Sequence, residues 1–154
     1  MVKFLNKRIA VITNNRSDML EILSRNSIEL VIFKPGEIYI DSFKEFYSLC
    51  ILGGTEEEPI MLQARERMLV EEAVKQGKKV FTEYCGSVSG VYYENPSVTR
   101  YERLVFTYDD SLIEGICQGD ILDDQCGMRI RPHEEFCSHS TPILQYVNVH
   151  AHKN

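Results

Sequence analysis

The stretch VFTEYCGSVSG, residues 80–90, runs an apolar segment into a turn that carries one cysteine, Cys85. A thiol in that position is a nucleophile when neighbouring N–H groups favour its thiolate, and an inert core group when apolar neighbours bury it. Gly86 permits a tight turn. Successive N–H groups over residues 86–89 are placed to receive an anion or an oxyanion, and Ser87 and Ser89 add donors. The paired Gly53 and Gly54 close the run LCILGG and allow a ligand to approach the backbone closely. The acids that follow, Glu56, Glu57 and Glu58, oppose phosphate binding there, and GGTEEE has neither the lysine nor the spacing of a P-loop.

Other candidate groups are more scattered. Cys117, Cys126, His133, Cys137 and His139 are zinc-type ligands, but no C-x2-4-C pair anchors them. Asp120, Asp123 and Asp124 do not follow a calcium-loop pattern, so a solvated acidic loop is expected, with no metal and no cofactor. Tyr84, Tyr92, Tyr93 and Tyr101 offer broad apolar faces with a polar tip, suited to stacking on a sugar or packing against a partner.

These residues need a scaffold, and the chain is long enough to build one. It has 154 residues, 44% hydrophobic and 26% charged, enough for a single domain over 1–154 with a real core. The net charge of -6 argues against a nucleic-acid or anionic-membrane partner, since both need a basic footprint. No apolar run approaches the roughly 18 residues that cross a bilayer. Five cysteines, an odd number without CxxC, favour a reducing, cytoplasmic setting.

Strands are expected at KRIAVIT (7–13), IELVIF (28–33), LCILGG (49–54) and KVFTEYC (79–85). Between them lie a helix over 17–26, capped by Ser17 or Asp18, and a short helix over IYIDSFKEFYS. A long helix follows Pro59, with Thr55 and Glu58 as a capping box and Leu62, Leu69 and Ala73 on one side. Val- and Ile-rich strands alternating with helices predict βαβ units and a parallel sheet. Three loops then meet beyond the strands' carboxyl ends: NNRSD, GGTEEE and YCGSVSG. After residue 90 the pattern turns irregular, with strands at RLVFTYDD, MRIR and PILQYVNVH.

RIAVI, the ILGG at a strand end, the long helix after it and KVFTEYCG together resemble the class I glutamine-amidotransferase-like fold, nearest to the ThuA-like and sugar-utilisation branch. The resemblance covers roughly the first three fifths of the chain. It implies a three-layer α/β fold: a mostly parallel flavodoxin-like sheet, helices on both faces, and an irregular C-terminal part. It also implies that Cys85 sits on a sharp elbow, that Gly53 and Gly54 help form an oxyanion hole, and that His133 and Glu135 supply an H-x-E pair. The elbow wants small residues on both sides of the nucleophile. Ser87 fits, whereas Glu83 stands where glycine is typical, and its charge would oppose thiolate formation.

The reading favoured is a non-classical or degenerate member that binds a small polar ligand, of carbohydrate type, at Gly53, Gly54, Tyr84, Gly86 and Ser87. One alternative is a cysteine hydrolase or amidotransferase in which Cys85 attacks an acyl carbon, His133 is the base and Glu135 orients it. Another is an assembly module whose copies pair through the tyrosine-rich segment as a homo-oligomer.

Overall fold

The computed structural model describes residues 8–86, 88, 90–109, 111–131, 133–135 and 141–148, with Val91 and residues 133–135 as backbone alone. The chain divides into two compact units, Met1–Tyr93 and Glu94–Asn154.

The first unit is built on four parallel strands: β1 (Arg8–Thr13), β2 (Glu29–Phe33), β3 (Ser48–Leu52) and, after a short strand β4 (Ile60–Met61), β5 (Lys79–Thr82). Their order across the sheet is β2-β1-β3-β5. Alternation along the central strands assigns each face a helix. Ala10 and Ile12 of β1 and Leu49 and Ile51 of β3 pack on one face with Val70 and Ala73 of α2 (Ala64–Lys75). Val11, Cys50 and Leu52 point the other way, against Met19, Leu20 and Leu23 of α1 (Asp18–Ser24). Because successive strand side chains alternate, one unbroken apolar run serves both layers. The result is the expected three-layer arrangement, with helices on opposite faces.

α1 begins where its cap predicts, the Ser17 hydroxyl accepting from the Leu20 N–H at 3.3 Å. α2 departs from expectation. Thr55 and Glu58 form a loop turn, in which the Glu58 N–H donates to Thr55 Oγ1 at 3.0 Å. The chain then spends Ile60–Met61 on β4, which pairs in parallel with β6 (Cys85–Gly86), before the helix starts. The working capping carboxylate is Glu66, which accepts from the Gln63 N–H at 3.1 Å. Its other oxygen takes the Gly36 and Ile38 N–H groups at 2.6 and 3.2 Å. Glu66 is only 1% exposed. Three charge-assisted bonds of about 1.5–3 kcal/mol each offset a burial cost of several kcal/mol. The buried face of α2 is accordingly Glu66, Val70 and Ala73, with Leu62 and Leu69 half-buried beside it and Met61 and Met68 exposed.

The aromatic segment after β2 is a succession of turns instead of a helix. Asp41 takes a φ of 69°, and i→i+3 bonds run from Ser42 to Tyr39, Lys44 to Asp41 and Phe46 to Phe43. The left-handed φ of Asp41 interrupts any helical run, while Phe43 and Phe46 still pack in T-shaped geometry on Phe33, at ring separations of 5.9 and 5.8 Å. The unit ends with β7 (Val91–Tyr93).

The second unit is antiparallel. β8 (Ser97–Val98) pairs with β11 (Arg129–Ile130). β9 (Glu102–Phe106) lies between β10 (Ile121–Asp123) and β13 (Leu144–Asn148). β12 (His133–Glu135) completes the described elements. The strands expected in RLVFTYDD, MRIR and PILQYVNVH are thus found at Glu102–Phe106, Arg129–Ile130 and Leu144–Asn148, and Phe106 is fully buried.

Candidate functional site

In the order β2-β1-β3-β5, the chain leaves β1 toward one edge of the sheet and returns to β3 on the other side. The loops after β1 and β3 are drawn apart at that point, which is where open α/β sheets form a crevice. A cavity of about 440 Å3 lies there. Arg16, Ser17, Asp18 and Glu21 line it from the β1 loop and α1. Gly53, Gly54 and Thr55 contribute from the β3 loop, and Glu83 and Tyr84 from the turn after β5.

The two glycines have distinct reasons to be there. Gly53 has a φ of +87°, and a Cβ on it would press on the Asn15 carbonyl and Thr13 Oγ1, both at 3.0 Å. Gly54 lies so close to the next loop that a Cβ would come within 2.5 Å of the Tyr84 carbonyl oxygen and 2.7 Å of that of Glu83. The absence of side chains is what lets the β3 loop and the β5 turn pack edge to edge.

The turn after β5 decides which side chain faces the cavity. The Glu83 N–H still donates to Ile51 O at 2.8 Å, continuing the sheet. Tyr84 then adopts a φ of 42°, the left-handed region that side chains other than glycine rarely enter. Its carbonyl accepts from the Ile60 N–H at 2.8 Å, and Cys85 begins the short pairing with β4. Tyr84 thereby joins the cavity lining, and its ring lies 6.1 Å from the ring of Tyr93. The next side chain turns inward. Cys85 is 3% exposed and belongs to the core with Ile60 and Val88.

Cys85, expected at the crevice rim, is not among the residues lining this cavity, where Tyr84 is, and burial pushes the Cys85 thiol up to about 12. The Glu83 carboxylate acts on a different thiol than expected. It adds to burial in raising Cys50, on the α1 face of β3.

Glu83 itself is a hub. Its Oε2 accepts from Ser17 Oγ at 2.8 Å and from the Gly53 N–H at 3.0 Å. One carboxylate thus joins the loops after β1, β3 and β5.

Of the residues expected at the site, Gly53, Gly54 and Tyr84 come together in the cavity. Gly86 is buried in β6 against Met61, whose sulfur a Cβ there would meet at 2.6 Å. Ser87 and the side chains of His133 and Glu135 lie outside the described residues, as do Cys137 and His139. Cys117 and Cys126 are exposed. Among the described residues no group of three or more His, Cys, Asp or Glu side chains is arranged to hold a metal ion. Among them, too, no helix is long and apolar enough to cross a membrane. Ser17 and Glu83 were not expected as site residues. Ser17 has the signal of a helix cap, which accounts for its hydroxyl without a cavity, and Glu83 stood out only as a charge where glycine is typical.

No family model and no curated protein matches the chain. Among solved structures it is similar to a glutamine amidotransferase from Thermotoga maritima, with a TM-score of 0.58 and 15% identity over 93% of this chain and 70% of that one. A structure of PurLQS from Thermotoga maritima gives a TM-score of 0.47 at 14% identity, over 93% of this chain and 76% of that one. The chain has a class I glutamine-amidotransferase-like fold. At this identity the likeness establishes the fold alone.

Proposed function

We propose that the chain is a degenerate amidotransferase-like domain that binds a small polar ligand, a neutral carbohydrate, in the cavity beyond β1, β3 and β5. One observation carries the reading: the left-handed turn after β5 puts Tyr84 in the cavity lining, while the adjacent thiol is sealed in the core. A thiolate nucleophile needs access and a depressed pKa. Cys85 has neither. What faces the cavity suits recognition. Tyr84, a lining residue 37% exposed, has an aromatic side chain suited to a sugar face, and Asp18 is an acceptor for hydroxyl groups. The ThuA-like, sugar-utilisation character suggested by RIAVI, ILGG and KVFTEYCG agrees with that ligand class.

The test is a titration of the full chain with a panel of neutral sugars, followed through the backbone amides of Gly53, Gly54 and Tyr84. Saturable shifts confined to those amides are expected, lost in Tyr84→Ala. A parallel assay follows ammonia release from glutamine. Release that disappears in Cys85→Ser would overturn the reading in favour of the cysteine hydrolase.

Self-association is a second reading, supported by Tyr92 and Tyr101, 46% and 41% exposed. Sedimentation over a concentration series tests it, a monomer throughout being the result against it.

A further inference from the structure

The cavity contains donors of the kind that receive an anion, and the chain fills them itself. A backbone N–H and a hydroxyl converging on one oxygen are the usual means of holding a ligand carboxylate or phosphate. Here the Gly53 N–H and the Ser17 hydroxyl converge at 3.0 and 2.8 Å on Oε2 of Glu83. Gly53 is buried and Ser17 and Glu83 are half-buried, so the arrangement belongs to the cavity wall and not to open surface. The rest of the lining reinforces it. Asp18 adds a further carboxylate against the Arg16 guanidinium, while the Glu21 carboxylate of the lining is paired with Arg25.

We propose that Glu83 is the specificity-determining residue of this cavity. It stands in for a ligand anion on the Gly53 and Ser17 donors. Carboxylates and phosphates are thereby refused, and ligands that donate hydrogen bonds through neutral hydroxyls are admitted. The inference rests on the reading of the cavity as a ligand site and names the property that selects its ligand. It also gives the charge at position 83 a purpose. A glycine at this position would have no carboxylate to offer the Gly53 N–H; here that N–H is already engaged.

Inorganic phosphate and acetate serve as probes, with the Gly53 amide as reporter, in the wild-type chain, Glu83→Ala and Glu83→Gln. The wild-type amide is expected to stay in place. Glu83→Ala frees both donors and is expected to bind phosphate saturably, about tenfold or more tighter than wild type. Glu83→Gln removes the charge but keeps an acceptor oxygen of the same reach, so a smaller gain is expected. It is close in shape to the native residue and decides the matter if Glu83→Ala does not fold. Two results overturn the proposal: wild type that binds phosphate at Gly53 as tightly as the variants, or variants that gain nothing. Failure of the ligand reading looks different. In that case no neutral sugar moves the wild-type amides, while the anion arm still reports on Glu83.

Discussion

Tyr84 carries a backbone conformation that costs a residue with a Cβ on the order of 1–2 kcal/mol. At ordinary positions glycine is less stable than alanine by about 0.4–1 kcal/mol. The order should invert here. Tyr84→Ala and Tyr84→Gly both lose the ring contact with Tyr93, so comparing the two isolates the backbone. Tyr84→Gly is expected to be the more stable by about 1 kcal/mol in urea melts, and equal stability would refute the strain. Cys85 makes a second prediction. Iodoacetamide at pH 8 should label the exposed Cys117 and Cys126 in native protein and leave Cys85 untouched, as read by mass mapping. Its folded-state pKa lies above the unfolded one, so the stability of the protonated, buried thiol is whole below the ordinary thiol range. It is lost as pH rises toward about 12. Cys85→Ala should therefore flatten the decline of stability with pH above about 9. An unchanged slope would count against the shift.

At the scale of elements, much was legible and the failures have physical causes. β1, β2, β3 and β5 announce themselves as Val- and Ile-rich runs because both faces of a parallel sheet are covered. The start of α2 differs from the sequence expectation because two capping patterns lie eight residues apart, Thr55 with Glu58 and Gln63 with Glu66. Local chemistry allows either. The pairing of Ile60–Met61 with Cys85–Gly86, a long-range event, selects the later one. Glu66 then does more than cap, since it also holds the Gly36 and Ile38 N–H groups in the segment after β2. Glu66→Ala should cost about 2 kcal/mol by chemical denaturation, because three backbone donors, of which Ile38 is buried, lose a buried acceptor. Glu66→Gln, which keeps acceptor oxygen, should cost less. A loss below about 1 kcal/mol for Glu66→Ala would show that water replaces the carboxylate.

For the whole molecule, the place of the site was more legible than its contents. Strand count and alternation predict a crevice beyond the carboxyl ends, and Gly53, Gly54 and Tyr84 were found in it. Which neighbour of Tyr84 faced the crevice depended on one torsion angle, and no pattern of residue types encodes a left-handed tyrosine. The sheet also predicts how stability is distributed. β1 and β3 are central and bury both faces, with Ala10, Val11, Ile12, Ile51 and Leu52 at 0% exposure. β2 and β5 are the flanking strands of this sheet, and Ile32 and Phe81 on them are half exposed. Hydrogen exchange should be slowest in peptides covering 9–12 and 49–52 and faster in those covering 29–33 and 79–82. Uniform exchange across all four would contradict this layering.

The carboxylate that ties Ser17 to Gly53 also has a kinetic consequence. Three segments distant in sequence are laced together before anything arrives, so the mouth of the cavity does not have to organise itself around a guest. Entry should then cost little ordering entropy and proceed without a slow closing step. A cut in the lacing, as in Glu83→Ala, would leave a mouth that must first find its shape, and would show itself as slower capture before any change in residence time.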